Sequence, residues 1–498
     1  MKLLLIEAND MKRWVGGRVG RTVHVIPIAL LGLAAYVRRE LAAVDVRVVE
    51  TSLDAATDEQ LREVLDDFRP DLVGIRSINF FVEETRRVVS AVARWADVPV
   101  VVGGPIAAGL RRSLFDRIPE LRLAVVGEGE RVLCQLLRGA PPEDLPGMLV
   151  RKPGVVIENP EAEPLRDLDD LPWPDYSLID LDQYARQLSY AYNQRRQGVL
   201  VTSRGCPYHC TYCFQLPGTR PRLRSARDVF GEVERLVRHH DVRDFYVVDD
   251  VFNLSRRRAM ELFDRIIEAK LGIRLYFVNG LRVDRCDREF IDRMIEAGTV
   301  WVTFGIESAH PRIARLIKKE VDLDQARDLI GYTQRTGIVV NIDTMFGFPT
   351  ETPEEAQATL DWLGALERPS LLPYHFNLRG YAGCEVVDQA VAAGWDRDAF
   401  LATGFSSYHE LPAGTPTFSR QQMLSHVVDF HARFGMSNAE HVAWSVGVLR
   451  RNSFSDEEIV EMYSGLMNRR IETVDALLVP RAAARPADPD VDHKSRVP

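Results

Sequence analysis

Short apolar runs alternate with helix-spaced apolar residues in two long series along this chain, and few folds accept that pattern. In the first series Lys2–Glu7 reads as an apolar strand. Ile28–Leu41 follows with Leu30, Leu31, Leu33, Ala34 and Val37 at helical spacing. Val46–Val49 is a second strand and Leu61–Phe68 a second helix; Leu72–Ile75 is a third strand, before a helix with Val88, Val89, Val92 and Trp95 on one side. Val98–Val102 runs into Gly103-Gly104-Pro105, and Leu123–Val126 into Gly127-Glu128-Gly129-Glu130 and a helix to Leu137. Five strands joined by helices predict an α/β fold with an open, doubly wound parallel sheet. Such sheets bind ligands outside the carboxyl ends of their strands, where both glycine turns fall.

The second series predicts strands at Val199–Thr202, Asp244–Val248, Leu275–Val278, Val300–Ile306, Val339–Met345 and Tyr374–Leu378, with helices such as Phe290–Ala297 and Ala326–Arg335 between them. Six β/α units predict a partial (β/α)6 TIM-type barrel with active residues at the C-terminal strand ends. Between the series the periodicity fades into a proline-punctuated acidic stretch, in which Trp173 and Tyr176 need a surface to pack on. Beyond the barrel the pattern is helical: Met423–Phe434, Ala439–Leu449 and Glu457–Leu466, expected against the open side of the barrel. The expected plan is an α/β domain over 1–139, a linker over 140–192, the barrel over 193–385, a helical region over 386–480 and a disordered tail over 481–498.

A net charge of −9 and the lack of a basic C-terminal module argue against nucleic acid as a partner. No apolar stretch is long enough to span a bilayer, and the N-terminus turns acidic too soon for a secretory signal, so a cytoplasmic protein with no membrane partner is expected.

The chemistry is concentrated in Ser203-Arg204-Gly205-Cys206-Pro207-Tyr208-His209-Cys210-Thr211-Tyr212-Cys213-Phe214. Its spacing, C-x3-C-x2-C, puts three thiolates on one loop. A structural zinc site asks for four ligands, and His209 would have to reach the same ion from inside the run. A disulfide framework asks for a cysteine-dense chain, whereas this one has six cysteines, with Cys134, Cys286 and Cys384 isolated and read as small buried hydrophobes. Three soft ligands suit an iron–sulfur cube with one iron left open.

This loop resembles the cluster-binding loop of the radical S-adenosylmethionine (radical SAM) superfamily. The resemblance implies that Cys206, Cys210 and Cys213 hold a [4Fe-4S] cluster whose fourth iron is chelated by S-adenosylmethionine. One electron then releases a 5′-deoxyadenosyl radical. Tyr212 would lie near the adenine. Asp249 and Asp250, after the second barrel strand, would accept from the ammonium group, or simply open a helix whose cap is Asn253. Asn279-Gly280-Leu281-Arg282 follows the third strand, where Arg282 would take the methionyl carboxylate or pair with Asp284. Glu307 and Ser308 match the family's G-I-E-S element near the ribose or methionyl group. Gly347 and Pro349 match the G-x-P-x-E-T element that packs on adenine. Arg315, Lys318 and Lys319 read as a solvated charged face.

The two glycine turns and the run Ile26–Tyr36 resemble the cobalamin-binding, Rossmann-like domain found ahead of some radical SAM barrels. That implies cobalamin contacts at Arg76, Ser77, Gly103, Gly104, Gly127, Glu128 and Gly129, with Arg76 over the lower face, because the D-x-H-x-x-G signature of histidine-on cobalt is absent. The implied activity is hydrogen abstraction from an unactivated carbon of a small natural product, followed by cobalamin-dependent C-methylation, with flavodoxin or ferredoxin as external electron donor. The alternative is a cobalamin-independent dehydration, dehydrogenation or epimerisation of a sugar such as an aminoglycoside intermediate. It is favoured by the bulk of Phe80 and Phe81 and would need an acid or base such as Glu385 or Tyr374.

Overall fold

A computed structural model describes residues 1–10, 24–187, 189, 191, 193–214, 220–368, 370–372, 375–404, 414–435, 438–466 and 470–478. Strand β1 (Lys2–Glu7) is covered on both faces, as a central parallel strand must be. Leu3 and Leu5 join the core under the helices Ile28–Glu40 and Glu130–Leu137. Leu4 and Ile6 join the opposite core, under Asp58–Phe68 and Val82–Trp95. Around β1 stand β2 (Asp45–Glu50), β3 (Leu72–Arg76), β4 (Val100–Gly103) and β5 (Leu123–Val125), in the order β2-β1-β3-β4-β5 and all parallel. This is the predicted doubly wound sheet.

The sheet does not end at β5. β6 (Met148–Lys152) and β7 (Val155–Glu158) add an antiparallel hairpin to its edge, inside the stretch read as a linker. The rest of that stretch packs down. Trp173 donates from Nε1 to Asp228 at 2.9 Å, and the Tyr176 hydroxyl accepts from the Val199 amide at 2.8 Å.

The second sheet is parallel throughout, its six strands side by side in chain order. Its strands are β8 (Gln197–Leu200), β11 (Asp244–Val247), β12 (Arg274–Leu281), β13 (Thr299–Glu307), β14 (Val339–Phe346) and β15 (His375–Asn377). A two-stranded ribbon, β9 (Ser203–Arg204) with β10 (Arg222–Leu223), flanks the cysteine run. Alternation decides the faces. Phe245, Phe277, Val302, Phe304, Val340 and Ile342 pack outward under the covering helices. Tyr246, Tyr276, Trp301 and Val339, early in their strands, face the other way, onto Val442, Val446, Ile459 and Tyr463. The helices Ala439–Arg451 and Asp456–Leu466 thus close the N-terminal end of the barrel, opposite the strand ends where cofactors bind. The helix Arg420–Phe434 packs instead along the outer face, against Pro353–Gly364. Among the described residues no helix is long and apolar enough to cross a membrane. Tyr374 and the tail from 481 lie outside the described residues.

Under Arg420–Phe434, His375 and His426 meet Nε2 to Nε2 at 2.8 Å, with His375 Nδ1 2.8 Å from Thr344 Oγ1. Burial drives His375 well below the usual imidazole range and His426 to about 4; in the helix Ala439–Arg451 burial also holds His441 at about 4. These rings are neutral in the fold, whereas free imidazole takes up a proton below about 6.5. Between about pH 6.5 and 4 the unfolded chain therefore binds more protons, and stability falls as pH falls. The contribution of these histidines is complete above about pH 6.5 and lost toward about pH 4.5, and it is read as the change with pH in the denaturation midpoint of wild type relative to a histidine variant. His441→Gln should remove a share of that slope worth about 3 kcal/mol.

Candidate active site at the barrel's carboxyl end

Gly205 opens the cysteine loop at φ +90°, a backbone that side chains resist, and its amide donates to Asp250 Oδ2 at 2.9 Å. Further along, the Thr211 amide donates to the Ile317 carbonyl at 3.1 Å, and the Val386 amide to the Thr211 carbonyl at 2.8 Å. The loop is thereby stitched to two other segments. Its cysteines stay accessible: Cys206 and Cys210 are half-buried and Cys213 is exposed. Three free sulfurs on one accessible loop fit a cluster with one corner open. Among the described residues no three His, Cys, Asp or Glu side chains close around a single point as ligands of one ion would. A cube takes each cysteine on a different iron and does not ask for that. His209 is exposed.

A chain of contacts leads from the loop to the barrel wall. The Tyr212 hydroxyl lies near Glu307, and its ring stands edge-on to Phe348 at 6.1 Å. Glu307 ends β13 at φ +66° and takes Lys319 Nζ at 2.8 Å. Gly305 makes room for this pair: a Cβ there would lie 2.7 Å from Lys319 Nζ and 2.9 Å from Glu307 Oε1. Lys319 therefore belongs to the interior, not to a solvated face, whereas Arg315 is exposed as expected and Lys318 pairs with Glu385 on the surface. Asp343 on β14, which pairs with Gly305 of β13, is held at about 7 by burial and by Glu307, against the pull of Lys319.

The turn after β14 shows what its motif does locally. Glu351, fully buried, accepts from the Gly347 amide at 2.5 Å and the Phe348 amide at 3.0 Å, while Thr352 caps the next helix in a capping box with Glu355. Burial raises Glu351 to about 8. Gly347 sits at φ +81°, Pro349 is buried, and the nearby Asn377 amide nitrogen is buried with no partner. An orphaned donor beside a shaped turn fits a ligand that brings an acceptor.

Other expected cofactor contacts are spent on protein. Asp249 is buried against the Thr202 amide at 2.5 Å, the Ser203 amide at 3.2 Å and Arg258 at 3.9 Å, so it braces the strand end and does not face an ammonium. Arg282 lies over the Tyr208 ring at 3.8 Å and pairs with Asp284 at 2.9 and 3.0 Å, the alternative reading of that residue. Asn279 donates to the Val248 carbonyl at 2.9 Å, and Ser308 Oγ accepts from the His310 amide at 3.2 Å. Glu385, 46% exposed in its surface pair with Lys318, is not placed as an acid or base of the interior.

On the N-terminal sheet, Gly103 and Gly127 face open space where a Cβ would meet nothing within 4 Å, and Gly129 is nearly as clear, an edge that a flat ligand could approach. Gly104, at φ +86°, is instead a tight turn packed against Ser77 and Arg76. Ser77 is fully buried and donates to the Ala8 carbonyl at 3.3 Å, so its hydroxyl is turned from the edge. Arg76 pairs with Glu7 and remains about one-third exposed. His24 joins this edge unannounced by any motif, with Nδ1 3.3 Å from Glu50 and 3.1 Å from Ser52. Phe80 reaches the barrel side, edge-on to Tyr381 at 4.9 Å. Glu128 also reaches across, and meets Arg204 and Arg222 on the ribbon flanking the cysteine loop. The carboxyl edge of the first sheet thus abuts the cysteine end of the second.

Comparison with known proteins agrees with both halves. The family model described as Radical SAM superfamily matches residues 200–363, and that described as B12 binding domain matches residues 13–137. The chain is a radical SAM enzyme with a B12-binding domain. Its cofactors are accordingly a [4Fe-4S] cluster, S-adenosylmethionine and cobalamin. The enzyme is 28% identical over 378 residues to an uncharacterised methyltransferase of Pyrococcus horikoshii, covering 74% of this chain and 78% of that one. It is 30% identical over 349 residues to cytidylyl-2-hydroxyethylphosphonate methyltransferase of Streptomyces wedmorensis, covering 61% and 64%. In fold it is similar to the radical SAM methyltransferase TsrM of Kitasatospora setae, with a TM-score of 0.64, 23% identity and coverage of 78% and 76%.

One cysteine read as a bystander stands beside the loop. Cys384 is buried, and burial together with Cys213 pushes its thiol up to about 12. We expect Cys384→Ala to keep the full iron and sulfide content of the reconstituted enzyme; loss of the cluster there would make Cys384 a ligand.

Proposed function

We propose that the enzyme transfers a methyl group to a carbon of a small molecule, using both domains. The observation that carries this reading is the contact between Glu128, at the carboxyl edge of the B12-binding sheet, and the arginines beside the three cysteines. The cluster supplies one electron to S-adenosylmethionine, and the corrin supplies a methyl carrier. Cys206, Cys210 and Cys213 hold the cluster and leave one iron for the amino acid end of S-adenosylmethionine. Tyr212, Glu307 and Lys319 line the barrel beside it, and the turn Gly347–Pro349 with Asn377 offers a platform for the rest of the molecule. Gly103, Gly127 and Gly129 border the corrin, with Arg76 at the end of β3. The methyltransferase names of the two curated relatives support the choice of reaction.

An external one-electron donor completes the system. The test is direct. Enzyme purified without oxygen, incubated with hydroxocobalamin and desalted should keep its corrin absorption. Given trideuteromethyl S-adenosylmethionine and a pool of small metabolites from its source, it should move the labelled methyl onto one of them. No retained corrin, together with 5′-deoxyadenosine formed alongside an unmethylated product, would reject the reading.

A further inference from the structure

We propose that Glu128, Glu130, Arg204 and Arg222 form a positioning clamp that sets the separation and orientation of the two cofactor sites; the inference rests on the function proposed above. Glu128 and Glu130 belong to the turn after β5, where Gly127 at φ +99° lets the chain leave the sheet sharply. Arg204 lies two residues before Cys206, and Arg222 follows the loop on its far side. The antiparallel ribbon pairs Arg204 with Arg222, bringing both guanidinium groups to the foot of the cysteine loop.

The contacts interlock. Glu128 Oε1 accepts from Arg204 at 2.9 Å and from Arg222 at 2.8 Å. Its Oε2 accepts from Arg222 at 3.2 Å and from the Leu165 amide at 2.7 Å. Glu130 takes the other terminal nitrogen of Arg204 at 2.8 Å. Burial would raise the Glu128 carboxyl, but Arg222 and Arg204 outweigh it and hold the group below its usual range. Arg222 and both carboxylates are largely buried and Arg204 about two-thirds so, which separates this cluster from the exposed ion pairs that contribute little.

The clamp is not what keeps the domains together. Arg38 holds Asp175 at 2.6 Å, Trp173 holds Asp228, the Ser225 amide donates to Asp169 at 2.8 Å and Phe80 meets Tyr381, all without the clamp residues. What the clamp alone contributes is a two-sided hold on the loop that carries the cluster, made by the turn that borders the corrin edge. One arginine fork on Glu128 and a second spanning Glu128 and Glu130 fix direction as well as distance. A methyl carrier and a bound S-adenosylmethionine must meet the same carbon in turn, and small misplacements there are costly.

The test uses the whole enzyme in three forms: wild type, Glu128→Gln/Glu130→Gln, and the charge exchange Arg204→Glu/Glu130→Arg. Iron and corrin content are measured on each. Pulsed EPR then reads the separation between cobalt(II) and the reduced cluster, and hydrogen exchange reads residues 203–214. The wild type should show one narrow separation. The double amide variant should keep iron and corrin within about twofold, broaden the separation, and exchange the loop amides about tenfold faster; the charge exchange should restore much of both. If the amide variant is insoluble, Arg204→Lys, which keeps the charge and loses the fork, should move both readouts in the same direction. Unchanged separation and exchange would make the cluster merely structural and overturn the proposal. Should the wild type bind no corrin, the proposed function fails separately, and exchange in the cluster-loaded enzyme alone decides the clamp: about tenfold faster supports it, unchanged rejects it.

Discussion

Cys210→Ala should purify as a folded protein with no [4Fe-4S] absorption and no 5′-deoxyadenosine formation, a loss of at least about a thousandfold in S-adenosylmethionine cleavage. The fold does not depend on the thiol. Cys210 is half-buried, its sulfur makes a long contact with the Lys318 carbonyl at 3.9 Å, and the loop is held by the backbone bonds to Ile317 and Val386 and by the Asp250 brace. Circular dichroism should therefore match the wild type. The chemistry does depend on it, because a cube held by two thiolates exposes two irons and is lost readily. Measured iron content and deoxyadenosine yield decide the matter together. Residual cleavage with intact iron would show that another side chain serves as ligand, and Cys384, next to Cys213, is the first to examine.

Lys319→Met should weaken S-adenosylmethionine binding by at least about tenfold and destabilise the barrel by about 3 kcal/mol. The Lys319 and Glu307 side chains are 12% and 9% exposed, and they sit together only because Gly305 has no side chain. Removing the lysine leaves a carboxylate nearly buried beside Asp343, which Lys319 alone holds down against burial and Glu307. Two acidic groups without their cation share one proton more readily than they share a ligand. Equilibrium dialysis with S-adenosylmethionine reads the first effect and a denaturant midpoint the second. Lys319→Arg, which keeps the charge in a larger group, should recover part of the stability and less of the binding. Wild-type affinity in Lys319→Met would remove this pair from the site.

Much of this was legible in the sequence, for a physical reason. Strands buried on both faces are near-continuous apolar runs, so β1, β3 and most barrel strands announce themselves within a residue or two, while β12 runs on to Leu281 and the helices Asp58–Phe68 and Leu323–Arg335 start a turn earlier than Leu61 and Ala326, at the caps Thr57 and Asp322. The hairpin Met148–Glu158 was hidden because its outer strand is solvent-facing, with Val155 55% exposed, and its turn, Pro153-Gly154, looks like more connector. The cysteine loop was legible because the chemistry is local. The residues around it were not. Lys319 lies in a basic run that looks solvated until the barrel folds it inward, and Asp343 is the one charged residue on its strand. Asp249, Ser77 and Glu128 occupy strand ends where ligands bind, yet Thr202, Ala8 and the two arginines reach them first. A strand-end position is visible in a sequence; its partner across the fold is not.

The account stands on a vacant fourth iron. Mössbauer and electron–nuclear double resonance on oxygen-free enzyme, with S-adenosylmethionine labelled with nitrogen-15 and oxygen-17 at its amino acid end, address that corner directly. The account predicts one iron distinct from three, shifting when the cofactor is added and coupled to both labels. Four equivalent irons, with neither label coupled, would contradict it.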